Sequence, residues 1–394
     1  MAAASALALF GARIAWAEPP APVRAALFEQ AILEGIDLSF RGDWDAADRA
    51  FARLAVIDSA HPAAAFYPTT TLNWRHAAEP PDPKDGAVVA KALERTVALA
   101  EARVDANPRD AEAETYWGGA LLALGVQQAR EGEWFAGLRT VSRAVGHLER
   151  AREIDPDDVE VYYPLGLYKY YASLLPSAVK WLDWLPWIPK GDRDEGLRML
   201  ETCRERCTVN RLGADVGLVF IYAAFEKDRA DEALVRLRDL RARYPRNAVL
   251  QLLEGVLLHH LERWDEVVAL TEDAEERVRE GTPTYDPKIA TLAVLGRAQA
   301  YLTMGYLDRA DETLTGVRSE QLTTPPGAYA WSRMIRANLL DARGERARAV
   351  AIYREIEDLE KPRRVERLAE KAEEYLDAPF VVPTPASKAS AKGA

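Results

Sequence analysis

Cys203 and Cys207 stand four residues apart on an expected helix and are the two cysteines of the chain. At that spacing their Cβ atoms should lie about 5–6 Å apart, wider than the ~3.5–4.5 Å that a disulfide prefers. With no histidine near them, two thiols do not make a metal site, so they read as small core residues. His259 and His260 are adjacent and point to different sides of a helix, while His61, His76 and His147 show no metal spacing. Asp192, Asp194 and Glu195 in GDRDEG lack the alternating oxygens and closing Glu of a calcium loop, and suit the start of a helix instead. Acid pairs such as Glu112/Glu114 and Glu275/Glu276 are expected on exposed helix faces. No G-x-S-x-G, H-E-x-x-H, phosphate loop or dinucleotide fingerprint occurs. The expectation is a protein without catalytic residues, bound metal or cofactor.

The aromatic residues are more individual. Residues 161–196 hold Tyr162, Tyr163, Tyr168, Tyr170, Tyr171, Trp181, Trp184 and Trp187, a density far above the chain's 9% aromatic average. Pro186 and Pro189 break the run, and Lys180 and Asp183 interrupt its hydrophobicity, so it cannot span a bilayer. Trp181 and Trp184, three apart, would share a helix face. Three readings stay open: rings filling the core of a long hairpin, rings lining a binding groove, or rings resting on a membrane surface. The candidate partner-binding residues are Tyr163, Tyr168, Tyr171, Trp181, Trp184 and Trp187.

The elements that must position these rings are helical throughout. No stretch alternates apolar and polar residues long enough for a sheet, and Pro punctuates helix-sized segments at IDSAHP, DANP, IDPDD and RYPRN. Small residues recur at a separation of 12: Gly35/Ala47, Gly255/Val267, Ala298/Ala310 and Ala337/Ala349, with Ile221/Ala233 keeping the separation but not the small first residue. Seven residues after each first member come the expected turns Gly42, Glu262, Gly305, Gly344 and Asp228. Four after each second member come Phe51, Thr271, Leu314, Tyr353 and Leu237. Two helices approach closely only where small side chains meet, so this spacing predicts antiparallel helix hairpins.

The set resembles the tetratricopeptide repeat. GDWDAADRAF (42–51), GYLDRADETL (305–314) and RGERARAVAIY (343–353) look like its turn and second helix. The resemblance implies an all-α fold, a right-handed superhelical array of hairpins, interrupted by an aromatic helical insertion. Leu175-Pro176, Gly191-Asp192-Arg193 and Gly196-Leu197 are similar to a pattern in the eukaryotic lipid- and outer-membrane-associated tetratricopeptide family and its bacterial relatives. That second resemblance covers roughly 160–247 and implies no catalytic residue.

Length and composition frame the organisation. The 394 residues suit two or three domains or one elongated array. Residues 1–17 are apolar, carry the single charge Arg13, and end in a small-x-small pattern, so they read as a signal peptide. Residues 18–156 form an N-terminal region with long helices, 157–211 the aromatic insertion, 212–376 a C-terminal array, and 377–394 a disordered tail. A net charge of −11 argues against wrapping nucleic acid. The leader and tail hold basic residues and no acidic one past Asp377, so the remaining chain is more acidic still. The expected function is an exported scaffold or adaptor, periplasmic or in the bacterial cell envelope, that binds a protein or peptide. If 1–17 is an ordinary first helix, the cytoplasm is the alternative. The rival reading is a periplasmic carrier for a lipid or small apolar ligand, the third is an enzyme acting through an unrecognised acid pair, and a peripheral membrane contact is a further partner expectation.

Overall fold

In the computed structural model the described residues are 20–75, 83–174, 190–317, 322, 327–360 and 365–383. Among them every regular element is helical. Helix α1 (Ala21–Arg41) pairs with α2 (Trp44–Ile57), and the short α3 (Ala63–Phe66) and α4 (Pro68–Arg75) follow. Three long helices come next: α5 (Pro83–Ala106), α6 (Ala111–Arg130) and α7 (Trp134–Ile154). Then come the pairs α8 (Tyr162–Ser173) with α9 (Arg193–Arg206), and α10 (Arg211–Ala224) with α11 (Ala230–Arg243). The C-terminal half contains α12 (Ala248–His260) with α13 (Trp264–Arg279), α14 (Pro287–Thr303) with α15 (Leu307–Thr315), α16 (Ala328–Ala342) with α17 (Arg346–Glu357), and a last helix, α18 (Glu366–Asp377).

Local chemistry sets the boundaries. Asp110, Asp192, Asn247 and Asp286 each cap a helix by accepting from backbone N–H groups two or three residues on. Pro287 occupies the first turn of α14, where its missing N–H costs nothing. The hairpin turns depend on left-handed backbone: Gly42 at φ 78°, Gly132 at 91°, Gly305 at 83° and Gly344 at 79°. Glu262 takes the same conformation at φ 54° without being glycine. Asp228 does not, because its hairpin turns through a short 3₁₀ segment, Lys227–Arg229.

The seams follow from the small residues. Ala47, Ala298, Ala310, Ala337, Ala349 and Ala233 are all completely buried. A Cβ on Gly35 would fall inside the Phe51 ring, so this glycine is what lets α1 and α2 close. Gly255 is the exception: it is half-buried and a Cβ there would sit 3.7 Å from Leu270, an ordinary contact. Its partner Val267 is larger than alanine and fills the seam itself. The long α6 and α7 obey the same rule at a pair outside the expected set: Gly125 and Gly137 are 12 apart, with Gly132 at the turn between them. A Cβ on Gly137 would come within 2.7 Å of the Gly125 carbonyl oxygen.

The array does not run straight from end to end. The end of α1 is fastened to the turn between α11 and α12, across 207 positions of sequence. There Tyr244 Oη donates to Asp37 Oδ1 (3.2 Å), Asn247 Nδ2 donates to the Phe40 carbonyl (3.0 Å), and the Phe40 and Tyr244 rings lie 5.4 Å apart. Arg246 pairs with Asp43 at 2.7 Å.

At the other end, residues 378–383 depart from the expected disordered tail. Phe380 is buried, and its N–H donates to Asp341 Oδ2 at 2.9 Å. An apolar ring with a buried acceptor beside it has reason to stay docked. The rest of the tail, 384–394, and the leader, 1–17, lie outside the described residues.

His259 stands edge-on to Trp264 at 5.0 Å, and burial followed by the neighbouring His260 charge pushes it down to about 4. Because the folded value lies below the ordinary one of about 6.5, the unfolded chain takes up this proton first. The stability that neutral His259 contributes is therefore complete above pH 6.5 and drains away as the pH falls toward 4. The loss should reach about 2 kcal/mol, discounted for partial solvent screening. Melting at pH 7.0 and 4.5 should show a smaller drop for His259→Leu than for the parent chain; equal drops would refute it.

Candidate functional site

The aromatic helix α8 is held from below by α9. Gly166 and Gly196 bring the two backbones together: a Cβ on Gly196 would lie 2.7 Å from Tyr170 N and 2.8 Å from the Gly166 carbonyl oxygen. Tyr170 is completely buried and donates to Glu226 at 2.7 Å, while Arg193 Nε donates to the same carboxylate at 2.8 Å. This fixes Tyr170 in the core, with Tyr163 packed partly against the same cluster.

The expectation for the cysteines needs correction. Cys203 and Cys207 form a disulfide, with Cα atoms 4.7 Å apart. The helical spacing argument assumed a regular helix through both residues, whereas α9 ends at Arg206, Cys207 is its C-cap, and the 4.7 Å Cα separation lies within the range a disulfide bridges. Both are completely buried, as core residues would be. The loop just beyond is tied to α8's entry, where the Glu160 carboxylate accepts from the N–H groups of Thr208 (2.6 Å), Val209 (3.0 Å) and Asn210 (2.9 Å). Glu160 also lies with the two sulfurs in a cluster of potential ligands, but both sulfurs are committed to each other.

These elements wall a groove of about 2840 Å³. Its sides come from α1, α5, α6, α7, α8 and the 208–210 loop, and they are mainly apolar. Helix α7 borders it with its first two turns, Trp134 to Val141, and Asp157 and Asp158 just past the helix end line the same cavity. At about 1.5 Å per residue, a helix of this length makes the groove about 30 Å long. Tyr163, Tyr168 and Tyr171 all lie on its wall. Tyr163 and Tyr168 are half-buried and Tyr171 is exposed, with the Phe225 ring 5.9 Å away. Burial pushes Tyr168 and Tyr171 up to about 12 and raises Tyr163 as well, so all three present neutral hydroxyls. Trp181, Trp184 and Trp187 lie outside the described residues.

Sequence reasoning missed other groove residues. Trp134 and Phe135 are 70% and 77% exposed, an unusual position for two adjacent large rings. Their signal was present in the EGEWF string, where two aromatics open a helix directly after a turn. Of the pair Glu112/Glu114, Glu112 is exposed as expected and Glu114 is not. His61 Nδ1 accepts from Ala63 N–H (3.2 Å) and Nε2 faces Glu112 Oε2 (3.1 Å), which assigns the proton to Nε2. Glu114 is buried rather than exposed, 2.7 Å from His147 Nδ1, whose ring stacks on Trp117.

The charge is uneven along the groove. Burial works against the Glu112 charge, but His61 and Arg103 outweigh it and hold the carboxyl below its usual range. Asp158 is raised by burial and by the neighbouring charges of Glu160, Asp155 and Glu112, against a bond from the Glu160 N–H. The end of the groove past α7 is thus a region of negative potential. Glu112, Asp158 and Glu160 are each engaged by a hydrogen bond.

Among the described residues, five hairpins share the 12-residue seam with a left-handed residue seven positions on. These are the seams and turns that the tetratricopeptide resemblance implies. No family model matches the chain, and no curated protein matches it. Solved structures similar to it include yeast Tom70, 11% identical over 94% of this chain and 82% of that one, with a TM-score of 0.41. A human IFIT1 dimer with m7Gppp-AAAA is 14% identical over 86% and 82%, also at 0.41. A tetratricopeptide repeat protein from Parabacteroides merdae is 14% identical over 89% and 98%, at 0.24. At TM-scores this low they carry no functional argument, and the hairpin seams define the array.

Proposed function

We propose that the chain is a non-enzymatic, exported scaffold that holds an apolar segment of a partner protein in the groove beside α7. The observation that carries this reading is the row of exposed or half-exposed rings, Trp134, Phe135, Tyr163, Tyr168, Tyr171 and Phe220, along one cavity. Exposed aromatic surface of this kind supports recognition of another molecule. A small ligand usually occupies about 300–1,000 Å³, so a space this large favours a peptide or helix over one compact molecule. The disulfide supports export, since such bonds persist mainly in oxidising compartments. No helix among the described residues is long and apolar enough to cross a membrane.

The apolar walls also favour, as a second reading, a carrier for a lipid or other small apolar ligand. Photo-crosslinking separates the two. A crosslinker at Phe135 or Tyr168 should capture one protein species in envelope extracts, while one at Val235, exposed on α11 outside the groove, should not. Native mass spectrometry showing a stoichiometric small-molecule mass, with no protein adduct at either groove position, would replace the scaffold with the carrier.

A further inference from the structure

We infer that the groove takes a partner segment with a polarity: an apolar, aromatic-seeking stretch at one end and lysine or arginine at the other. This rests on the peptide-holding reading above and specifies its ligand. The argument begins with α7, whose 21 residues separate two chemically different ends of one cavity. At its start, Trp134 and Phe135 stand largely in solvent with Val126 beside them in the lining. Just past its end, Asp157, Asp158 and Glu160 enter the same space.

The carboxylates at that end are held by the backbone more than by cations. Asp155 accepts from the N–H groups of Asp157 (3.1 Å) and Asp158 (3.3 Å), Asp158 from that of Glu160 (2.9 Å), and Glu160 from the three N–H groups of the 208–210 loop. The basic groups nearby in the lining are Arg103 and Arg206. Arg103 is already committed to Asp110 at 2.7 Å and to Glu112 at 3.2 Å, and the exposed Arg206 is one cation against the three carboxylates of Asp157, Asp158 and Glu160. Hydrogen bonds from neutral amides orient these carboxylates without cancelling their charge, so the end stays negative and attracts a cation. At the other end the rings supply apolar area, and the charges bordering them, Asp85, Arg130 and Glu131, are of mixed sign. A segment that is apolar throughout would leave the acidic end desolvated and unpaired, which is costly. One that is basic throughout would waste the rings. About 20 helical residues, or about nine extended ones, would bridge the two ends.

The test uses the full chain and three synthetic 18-residue helical peptides that share one apolar half. In the other half they carry four Lys, four Gln or four Glu. Binding is read by fluorescence anisotropy at low salt and in 0.5 M NaCl. The Lys peptide should bind about tenfold tighter than the Gln peptide, with the Glu peptide weakest, and salt should erase the ranking. Asp157→Lys combined with Asp158→Lys should reverse the order of the Lys and Glu peptides. Trp134→Ala with Phe135→Ala should weaken all three alike. If all three bind the parent chain equally and the ring variant weakens them, the groove reading survives and the basic-end inference falls. If none of the three binds, the groove reading falls and takes this inference with it.

Discussion

Phe51→Ala should lower the stability of the N-terminal hairpin by about 4 kcal/mol, the range for emptying a fully enclosed aromatic site. Phe51 is completely buried, stacked on Tyr67 at 5.6 Å, in a cluster with Ile32 and Leu54. Its ring occupies the space that a side chain at Gly35 would need. Gly35→Ala should therefore also destabilise, and the Gly35→Ala/Phe51→Leu pair should cost less than the two single changes together. Because each repeat leans chiefly on its neighbours, hydrogen exchange should show where the damage goes. Protection should fall in residues 21–67 and, through the contacts of Asp37 and Phe40, in 244–250. It should stay unchanged in 328–357. A uniform loss across the chain would contradict a hairpin-by-hairpin assembly.

Gly196→Val should cost about 3 kcal/mol by overpacking. The obstacle is backbone, Tyr170 N and the Gly166 carbonyl, so no side chain can step aside. Helix α8 must move away from α9, carrying Tyr168 and Tyr171 with it, so peptide binding in the groove should weaken along with the urea midpoint. Gly146→Ala serves as the control. It lies within α7 with open space at its Cβ position, so alanine should stabilise by about 0.5–1 kcal/mol. If Gly196→Val and Gly146→Ala behaved alike, close approach of α8 and α9 would not be what Gly196 provides.

The hairpins were legible from sequence because their requirement is steric and local. Ala298/Ala310 and Ala337/Ala349 must be small, and their turns need a residue able to adopt left-handed backbone. Gly125 and Gly137 meet the same requirement, but α6 and α7, at 20 and 21 residues, together exceed a repeat of about 34. The disulfide was hidden for a different reason. Whether Cys207 reaches Cys203 depends on the backbone of the last turn of α9, which brings the two Cα atoms to 4.7 Å, and residue spacing does not encode that distance. The groove was half legible. Tyr163, Tyr168 and Tyr171 stood out by density, whereas Trp134 and Phe135 matter because long-range packing leaves them uncovered, which no local pattern encodes. The acidic end draws Glu112 and Glu160 together from 48 positions apart in the chain, a proximity set by tertiary structure alone.

The link from Asp37, Phe40 and Asp43 to residues 244–247 changes how such a molecule would respond to load. A free string of hairpins stretches like a coil spring, each joint giving a little. Bolting the first turn to the middle of the coil converts that stretch into a loop of fixed girth, while the portion beyond Ala248 remains free to flex. Pulling on the two halves should therefore yield a soft extension first, and a stiff remainder that gives way only when the bolt breaks.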